Sequence, residues 1–181
     1  SSPLSIMSRL DITIKSHKPT GDVKPRAIHA SCGHPMLAGM RWIARTIRHS
    51  LQAYPHLIRD SDDFIAKIRG LHVPPNSQIW KIDVKEYFMS GPVAELVRIA
   101  SKAAPPRLTR AFERLLRVTL CNQYVYTRGE ADGRAHHVIR GSGMGLVLSG
   151  EVSDFVFFHL VERPFLLTPY HRKAFHVDGY Y

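Results

Sequence analysis

Strand-like and helical segments follow one another along this chain without a regular strand–helix–strand alternation. Residues 9–31 contain two alternating apolar and polar stretches around a turn, and helical periodicity begins at His34. A second hairpin is predicted over 122–140, after further helices. Because a parallel α/β sheet needs strands that alternate with helices, this order favours an α+β fold.

Helical periodicity or helix-end residues mark five segments. The apolar side chains of the first segment that should face a core are Met36, Met40, Ile43, Ile47 and Leu51. The other segments run from Asp60 or Ser61 to Gly70, from Pro92 to before Pro105, over 107–120, and from a glycine-rich loop to near Pro164. With 44% apolar residues among 181, we expect one sizeable core or two small lobes that share a groove.

The segment QIWKIDVKEYF, residues 78–88, has the pattern of a buried strand that ends at an acid. Its buried side chains are predicted to be Ile79, Trp80 and Ile82. The acid, Asp83, loses hydration energy there unless it is paired, hydrogen-bonded or bound to a cation. An ion pair with Lys81 or Lys85 is one interpretation. A Mg²⁺ site is the other, and it requires a second acid and substrate phosphates.

A glycine-rich loop, RGSGMGLVLSG at 140–150, leads directly into an apolar helical stretch. Glycines before a helix allow backbone amides to approach phosphates or another ligand closely. The loop lacks the Lys-Ser/Thr of a P-loop, and Ser142 is not where a nucleophile elbow needs its serine. A hairpin exit followed by a helix cap explains the same pattern.

The charge of the chain favours polyanionic partners. Lys and Arg number 25 against 15 acidic residues, which gives a net charge of +10. Two cysteines, Cys32 and Cys121, lack C-x-x-C spacing, so a reducing compartment fits better than a disulfide scaffold. No apolar run has the length of a membrane span or the form of a signal peptide.

Three arginines, Arg41, Arg45 and Arg48, lie on one face of the first predicted helix. No acidic residue is interleaved with them in the sequence, so the stripe is not neutralised within the helix. The pattern is compatible with a solvated surface and with contacts to nucleic-acid phosphates.

Three segments together resemble motifs of reverse transcriptases. KIDVKEYFMSG, residues 81–91, is similar to the family's first catalytic-Asp motif. IKSHKPTGDVKPRAIHAS, residues 14–31, resembles its fingers segment, and IRGSGMGLVLSGEVSD, residues 139–154, resembles the Gly-x-x-Met-Gly motif before its palm helix. Their order and spacing most resemble the Penelope-like branch, and the resemblance extends from about Arg9 to Tyr181.

This resemblance implies the fingers and partial palm of a right-hand polymerase, with an α+β palm built on an antiparallel sheet packed by helices. Residues of about 9–78 would be mostly fingers and those of about 79–181 mostly an incomplete palm. The family's aromatic-x-Asp-Asp hairpin is expected shortly after the last residue, so we expect a fragment that is inactive alone. Asp178 could substitute for that motif, but Asp-Gly reads more naturally as a turn.

The resemblance also implies site residues. Asp83 would be the catalytic acid and, with the backbone carbonyl of Val84, would bind Mg²⁺ or Mn²⁺. Arg26, with Lys15 or Lys24, would bind the triphosphate. The aromatic side chain that contacts the sugar and excludes a 2′-hydroxyl would be Phe88. The remaining nucleotide contacts would be Gly141, Met144 and Gly145, and the nucleic-acid contacts would be Arg41, Arg45, Arg48 and Ser149.

The function implied is an RNA-directed DNA polymerase of a retroelement, which transfers nucleotides to a primer 3′ end. Its partners would be an RNA template, a DNA primer and dNTPs, and it would not associate with a membrane. It would act in the nucleus or cytoplasm of a eukaryotic cell and would not be secreted. The alternative is a non-catalytic, basic RNA-binding domain derived from such an enzyme. The sequence departs from the family where Val138, Ile139 and Arg140 replace a Gln ahead of the glycine turn, and where Gly150 replaces a Pro.

Overall fold

The computed structural model describes residues 7–14, 25–54, 56–127, 134–166 and 168–174. The strands are β1 (Ser8–Ile14), β2 (Pro25–Ala30), β3 (Tyr124–Thr127) and β4 (Ala135–His137). The helices are α1 (Leu37–Leu51), α2 (Ser61–Arg69), α3 (Val93–Ala100), α4 (Thr109–Cys121), α5 (Ser149–Phe157) and α6 (Pro169–Ala174). Short 3₁₀ helices cover Tyr87–Met89 and Ser101–Ala103, and a π-helical stretch, Phe158–Leu166, continues α5.

The strands form one sheet in the order β2-β1-β3-β4. The pairs β1/β2 and β3/β4 are antiparallel, which confirms both predicted hairpins, although the turns at 15–24 and 128–133 lie outside the described residues. β1 and β3 are parallel, with Ser8 opposite Val125. The sheet is therefore mixed, whereas the resemblance implied an antiparallel sheet in the palm. Parallel neighbours require a long crossover, and α1 to α4 supply it.

The hydrophobic core lies where α1, α3, α4 and α5 pack together. The predicted inward-facing residues of α1 are buried, except that Met36 is partly buried against the core. The residues that α4 contributes to this core are Phe112, Leu116 and Leu120. Trp42 is partly buried against the core, and its ring centroid lies 5.4 Å from that of Phe112 in an edge-to-face arrangement. Because α1 precedes residue 78 and the other three helices follow it, one core draws on both predicted lobes.

Helix α2 confirms the predicted end signals. The Asp60 carboxylate caps its N-terminus by accepting a hydrogen bond from the N–H of Asp63 at 2.8 Å, and Gly70 is the C-terminal cap. Yet none of the side chains in this helix is buried. Local hydrogen bonds and ion pairs therefore carry more of its stability than core packing does.

The predicted buried strand at 78–88 is wrong. Residues 78–84 have no regular secondary structure, and the three side chains expected inside are largely exposed. Their exposed fractions are 93% for Ile79, 80% for Trp80 and 80% for Ile82. A strand is stable only where neighbours accept its backbone hydrogen bonds and cover its faces. The sheet formed by the described residues does not include this segment, so its apolar pattern is not matched by burial.

The helix after the glycine loop differs from the prediction in its second half. The α-helical part ends at Phe157, and the chain continues as a π-helical stretch that contains Pro164. Proline has no N–H and its ring crowds the preceding turn, so regular α-helical hydrogen bonding cannot continue through it.

Within the described residues, the helices are too short or too polar to cross a membrane.

Candidate functional site around the glycine loop

The glycine loop is defined here as residues 141–145, which lie between the β3/β4 hairpin and α5. Three of its five residues are glycines with positive φ, +77° at Gly141, +78° at Gly143 and +105° at Gly145. Residues other than glycine rarely adopt this backbone conformation. The sequence Gly-x-Gly-x-Gly is thus a requirement of the loop's backbone.

The same glycines also allow the loop to pack directly on the rest of the chain. A Cβ atom at Gly141 would overlap the backbone of Phe88 and Met89. At Gly145, it would lie 2.6 Å from the carbonyl oxygen of His29. Real Cβ atoms do not approach other atoms so closely. Atoms of the surrounding chain therefore occupy the space that a side chain at either glycine would need. The close approach that the sequence suggested for a ligand is made, in this structure, by the chain itself.

Phe88 and the glycine loop are joined through the backbone. The carbonyl of Phe88 accepts hydrogen bonds from the N–H of Ser142 at 2.8 Å and the N–H of Gly143 at 3.2 Å. Next to them, the N–H of Gly141 donates to the carbonyl of Gly91 at 3.0 Å. The proposed sugar-contacting residue and the proposed nucleotide-binding loop, from two separate motifs, therefore lie side by side.

Strand β2 meets the other side of the loop. The N–H of His29 donates to the carbonyl of Met144 at 2.6 Å, and the Ser31 hydroxyl donates to the carbonyl of Gly145 at 3.1 Å. Arg26 lies on the same strand, opposite Thr13 of β1, and its side chain is exposed. The strand that carries Arg26 is thus hydrogen-bonded to the loop, which brings elements of all three predicted motifs into contact.

Serine hydroxyls hold the loop on the start of α5. Ser149 is 3% exposed, and its hydroxyl donates to the carbonyl of Ser142 at 2.8 Å and to the carbonyl of Gly143. The hydroxyl of Ser142 lies 3.0 Å from that of Ser153. A direct contact between Ser149 and nucleic acid, as predicted, would require its hydroxyl to leave these carbonyls. The contacts that it makes in the structure are with the backbone of the glycine loop.

Sequence reasoning missed Asp154, which lies beside this site. The hydroxyl of Tyr87 donates to the Asp154 carboxylate at 2.9 Å. Burial raises the pKa of the Asp154 carboxyl, nearby Glu151 and Glu162 raise it further, and the Tyr87 hydrogen bond opposes them. An acid within the apolar helical stretch VSDFVFF was the signal in the sequence, because such an acid needs a partner.

The structure places Asp83 and Val84 in the exposed segment that follows Trp80. Mg²⁺ binds six oxygens, so a carboxylate and one carbonyl provide only part of its ligands. Among the residues that the structure describes, no group of three or more His, Cys, Asp or Glu side chains could hold a metal ion. The described residues therefore do not complete the predicted metal site.

The predicted phosphate-binding arginines differ in their surroundings. Arg41 and Arg45 are exposed, with the Arg45 guanidinium donating to the carbonyl of Arg41 at 3.3 Å. Arg48 instead forms an ion pair with Glu151 of α5. As expected, no acid within α1 neutralises the stripe, but α5 supplies one for Arg48. Lys15 and Lys24, the predicted partners of Arg26, lie outside the described residues.

No protein-family model matches this chain, and no curated protein matches it significantly. The two cysteines, Cys32 and Cys121, are free and exposed.

Proposed function

We propose that this chain is the fingers and part of the palm of an RNA-directed DNA polymerase from a retroelement. The reaction is nucleotidyl transfer from a dNTP to the 3′ end of a DNA primer on an RNA template. The observation that carries the proposal is the contact network in which the glycine loop joins Phe88 on one side and β2, the strand of Arg26, on the other. These elements were assigned from three separate motifs.

Convergence of these elements supports a polymerase because phosphoryl transfer depends on positioning and charge neutralisation more than on covalent chemistry. The residues involved, Arg26, Phe88 and 141–145, are far apart in the sequence. A guanidinium on a strand bonded to the loop can bind a triphosphate through paired hydrogen bonds. Phe88, whose backbone carbonyl is bonded to the loop, would contact the sugar of the same nucleotide with its ring.

Asp83 is proposed as the catalytic acid, and its carboxylate with the Val84 carbonyl as two ligands of Mg²⁺ or Mn²⁺. A bound cation of this kind supplies charge stabilisation to the transferring phosphoryl group. The chain's own contribution is positional: Asp83 lies four residues before Tyr87, whose hydroxyl is bonded to Asp154 in the packed part of the molecule. The bonded Tyr87–Met89 turn therefore limits where the Asp83 segment can lie.

The electrostatics of the chain support a nucleic-acid partner. The net charge is +10. Arg41 and Arg45 are exposed on one helix, and neither forms an ion pair with an acidic residue in the part of the chain that the structure describes. Clustered arginines on one face attract phosphates and release condensed counterions when they bind. This charge supports template and primer binding without specifying a sequence.

The proposed reaction is tested by primer extension on an RNA template with Mg²⁺ and dNTPs, using the intact gene product. Asp83→Ala should lower the extension rate by at least about a hundredfold, because it removes a carboxylate from the proposed cation site. RNA affinity should stay within about twofold of the wild-type value, since one exposed acid contributes little to phosphate binding. The matched control is Asp62→Ala, an exposed acid on α2.

Two results would contradict the assignment of Asp83. One is extension by Asp83→Ala at the wild-type rate. The other is a parallel loss of RNA binding and activity, which would make Asp83 a structural residue.

A non-catalytic RNA-binding domain derived from a reverse transcriptase is the second candidate. The exposure of Asp83, together with the net charge of +10, favours it, because binding requires basic charge but no metal-binding acids. Salt-sensitive RNA binding by an intact gene product that does not extend primers would support this candidate over the polymerase.

A further inference from the structure

Gln123 connects the end of α4 to the glycine loop. Its side chain is 5% exposed, and its Nε2 group donates to the carbonyl of Leu120 at 3.0 Å and to the carbonyl of Gly141 at 3.2 Å. Its own backbone carbonyl accepts the N–H of Val138 at 2.8 Å. One residue thus bonds to a helix end, to the hairpin exit and to the first glycine of the loop.

The other atom of the Gln123 amide lies against the middle of the loop. A Cβ at Gly143 would be 2.6 Å from Oε1 of Gln123 and 2.6 Å from Nδ1 of His29. Both atoms are buried, and neither has a hydrogen-bond partner among the described residues. The cavity next to them measures about 10 Å³, room for no more than one water molecule. Buried polar groups at this place are therefore suited to fix the loop and not to bind a larger ligand.

We propose that Gln123 is the positioning residue of the glycine loop. Its hydrogen bonds to the carbonyls of Leu120 and Gly141 hold the loop against Phe88 and β2. The catalytic consequence rests on the proposed polymerase function. A displaced loop would weaken the binding of the incoming nucleotide without removing any group that reacts.

The geometry explains why the neighbouring amide cannot do the same. Asn122 is exposed, and its Nδ2 group donates to the carbonyl of Val118 at 2.8 Å, within α4 itself. The side chains of Asn122 and Gln123 both donate hydrogen bonds to carbonyls of α4. Of these two residues, Gln123 is the one whose side chain is also bonded to the loop in the described structure. Asn122→Ala is thus a matched control for loss of a helix-end hydrogen bond.

The test measures amide hydrogen exchange in the full chain. Gln123→Met keeps the length of the side chain and removes its hydrogen bonds. Exchange at 141–145 should become about three- to tenfold faster, the effect of about one net hydrogen bond. Exchange in α1 should not change, and Asn122→Ala should leave the loop at its wild-type rate. Unchanged loop exchange in Gln123→Met, or an equal increase in α1, would overturn the proposal.

A second variant keeps the test decisive if Gln123→Met does not fold. Gln123→Glu retains the shape of the side chain, but its ionised form has no donor for the Gly141 carbonyl. A protonated carboxyl has one, so loop protection, corrected for the intrinsic rate, should recover as pH falls below the pKa of the new acid. Protection that does not change with pH in Gln123→Glu would contradict a role for the donor.

Primer extension by the intact gene product then separates positioning from general destabilisation. In Gln123→Met, the KM for dNTP should rise about tenfold while kcat stays within about twofold. A fall of kcat with unchanged KM would overturn the positioning role. If the wild-type protein extends no primer, the polymerase proposal fails, whereas hydrogen exchange still decides whether Gln123 fixes the loop.

Discussion

The backbone carbonyl of Phe88 accepts a hydrogen bond from the backbone N–H of Ser142 at 2.8 Å, although 54 residues separate the two in the sequence. The Ser142 hydroxyl also donates to this carbonyl, at 3.4 Å. The shorter bond joins two backbone groups, which no pattern of side chains could have indicated. It joins the 3₁₀ turn Tyr87–Met89 to the glycine loop, and it fixes the relative position of two elements that the proposed function requires together.

Gly143→Ala should destabilise the fold by about 2 kcal/mol or more. Alanine at φ +78° is strained, and its Cβ would lie 2.6 Å from atoms of Gln123 and His29. Gly150→Ala is the control, because this glycine lies in α5 with nothing within 4 Å of an added Cβ. Alanine there should stabilise the helix by up to about 1 kcal/mol. Urea unfolding measures both, and equal effects would contradict the packing of the loop.

Glu162→Ala should lower the free energy of unfolding by about 3 kcal/mol. Glu162 and His56 are each 6% exposed, and the His56 ring nitrogen lies 3.2 Å from the Glu162 carboxylate. Truncation removes a hydrogen-bond partner from a buried polar group. The control is Glu113→Ala, which removes an exposed 2.9 Å ion pair with Arg117 and should change stability by less than about 1 kcal/mol. A similar small effect for Glu162→Ala would indicate that the buried contact contributes little.

Asp63→Asn should make the stability of α2 less dependent on pH. A backbone hydrogen bond from Arg59 and one from the Lys67 side chain lower the pKa of Asp63 to about 2, from an ordinary value of 3.8. Because the folded pKa is below the unfolded one, the stabilisation is present above pH 3.8 and is lost as pH falls toward 2. Amide exchange in α2 at several pH values should show faster exchange of the variant near neutrality. The difference should vanish below about pH 2, and a constant difference would refute the linkage.

Arg41→Ala and Arg45→Ala should each lower the salt dependence of RNA binding. If each guanidinium contacts one phosphate, the slope of log K against log salt should decrease by about 0.7 to 0.9 per substitution. Arg48→Ala should have a smaller effect, because Arg48 is paired with Glu151. Binding curves between low and moderate salt measure the slopes. Equal slopes for all three variants would contradict the distinction drawn from the ion pair.

Local signals in the sequence predicted the elements well where neighbouring residues determine them. The alternating pattern of 9–31 predicted β1 and β2, and Asp60 and Gly70 predicted both ends of α2. Helical periodicity gave the buried face of α1. These patterns extend over a few residues and can therefore be read locally, although the helices that bury the apolar face of α1 lie far along the chain.

The same reasoning failed where an element depends on a partner. Ile79, Trp80 and Ile82 have the alternation of a buried strand, yet burial requires a neighbouring strand or helix, and the described sheet provides none. The Arg48–Glu151 ion pair was missed for a related reason, since its acid lies on another helix.

For the candidate site, the sequence by itself determined which residues are capable of the chemistry: three glycines that accept positive φ, an arginine, an aromatic ring and an acid. Tertiary structure decided what they contact. The loop packs on Phe88 and His29, and Gln123, which no motif indicated, bonds to Gly141. Backbone conformation is a property of each residue and its neighbours, whereas contacts across tens of residues depend on how the core brings the helices and the sheet together.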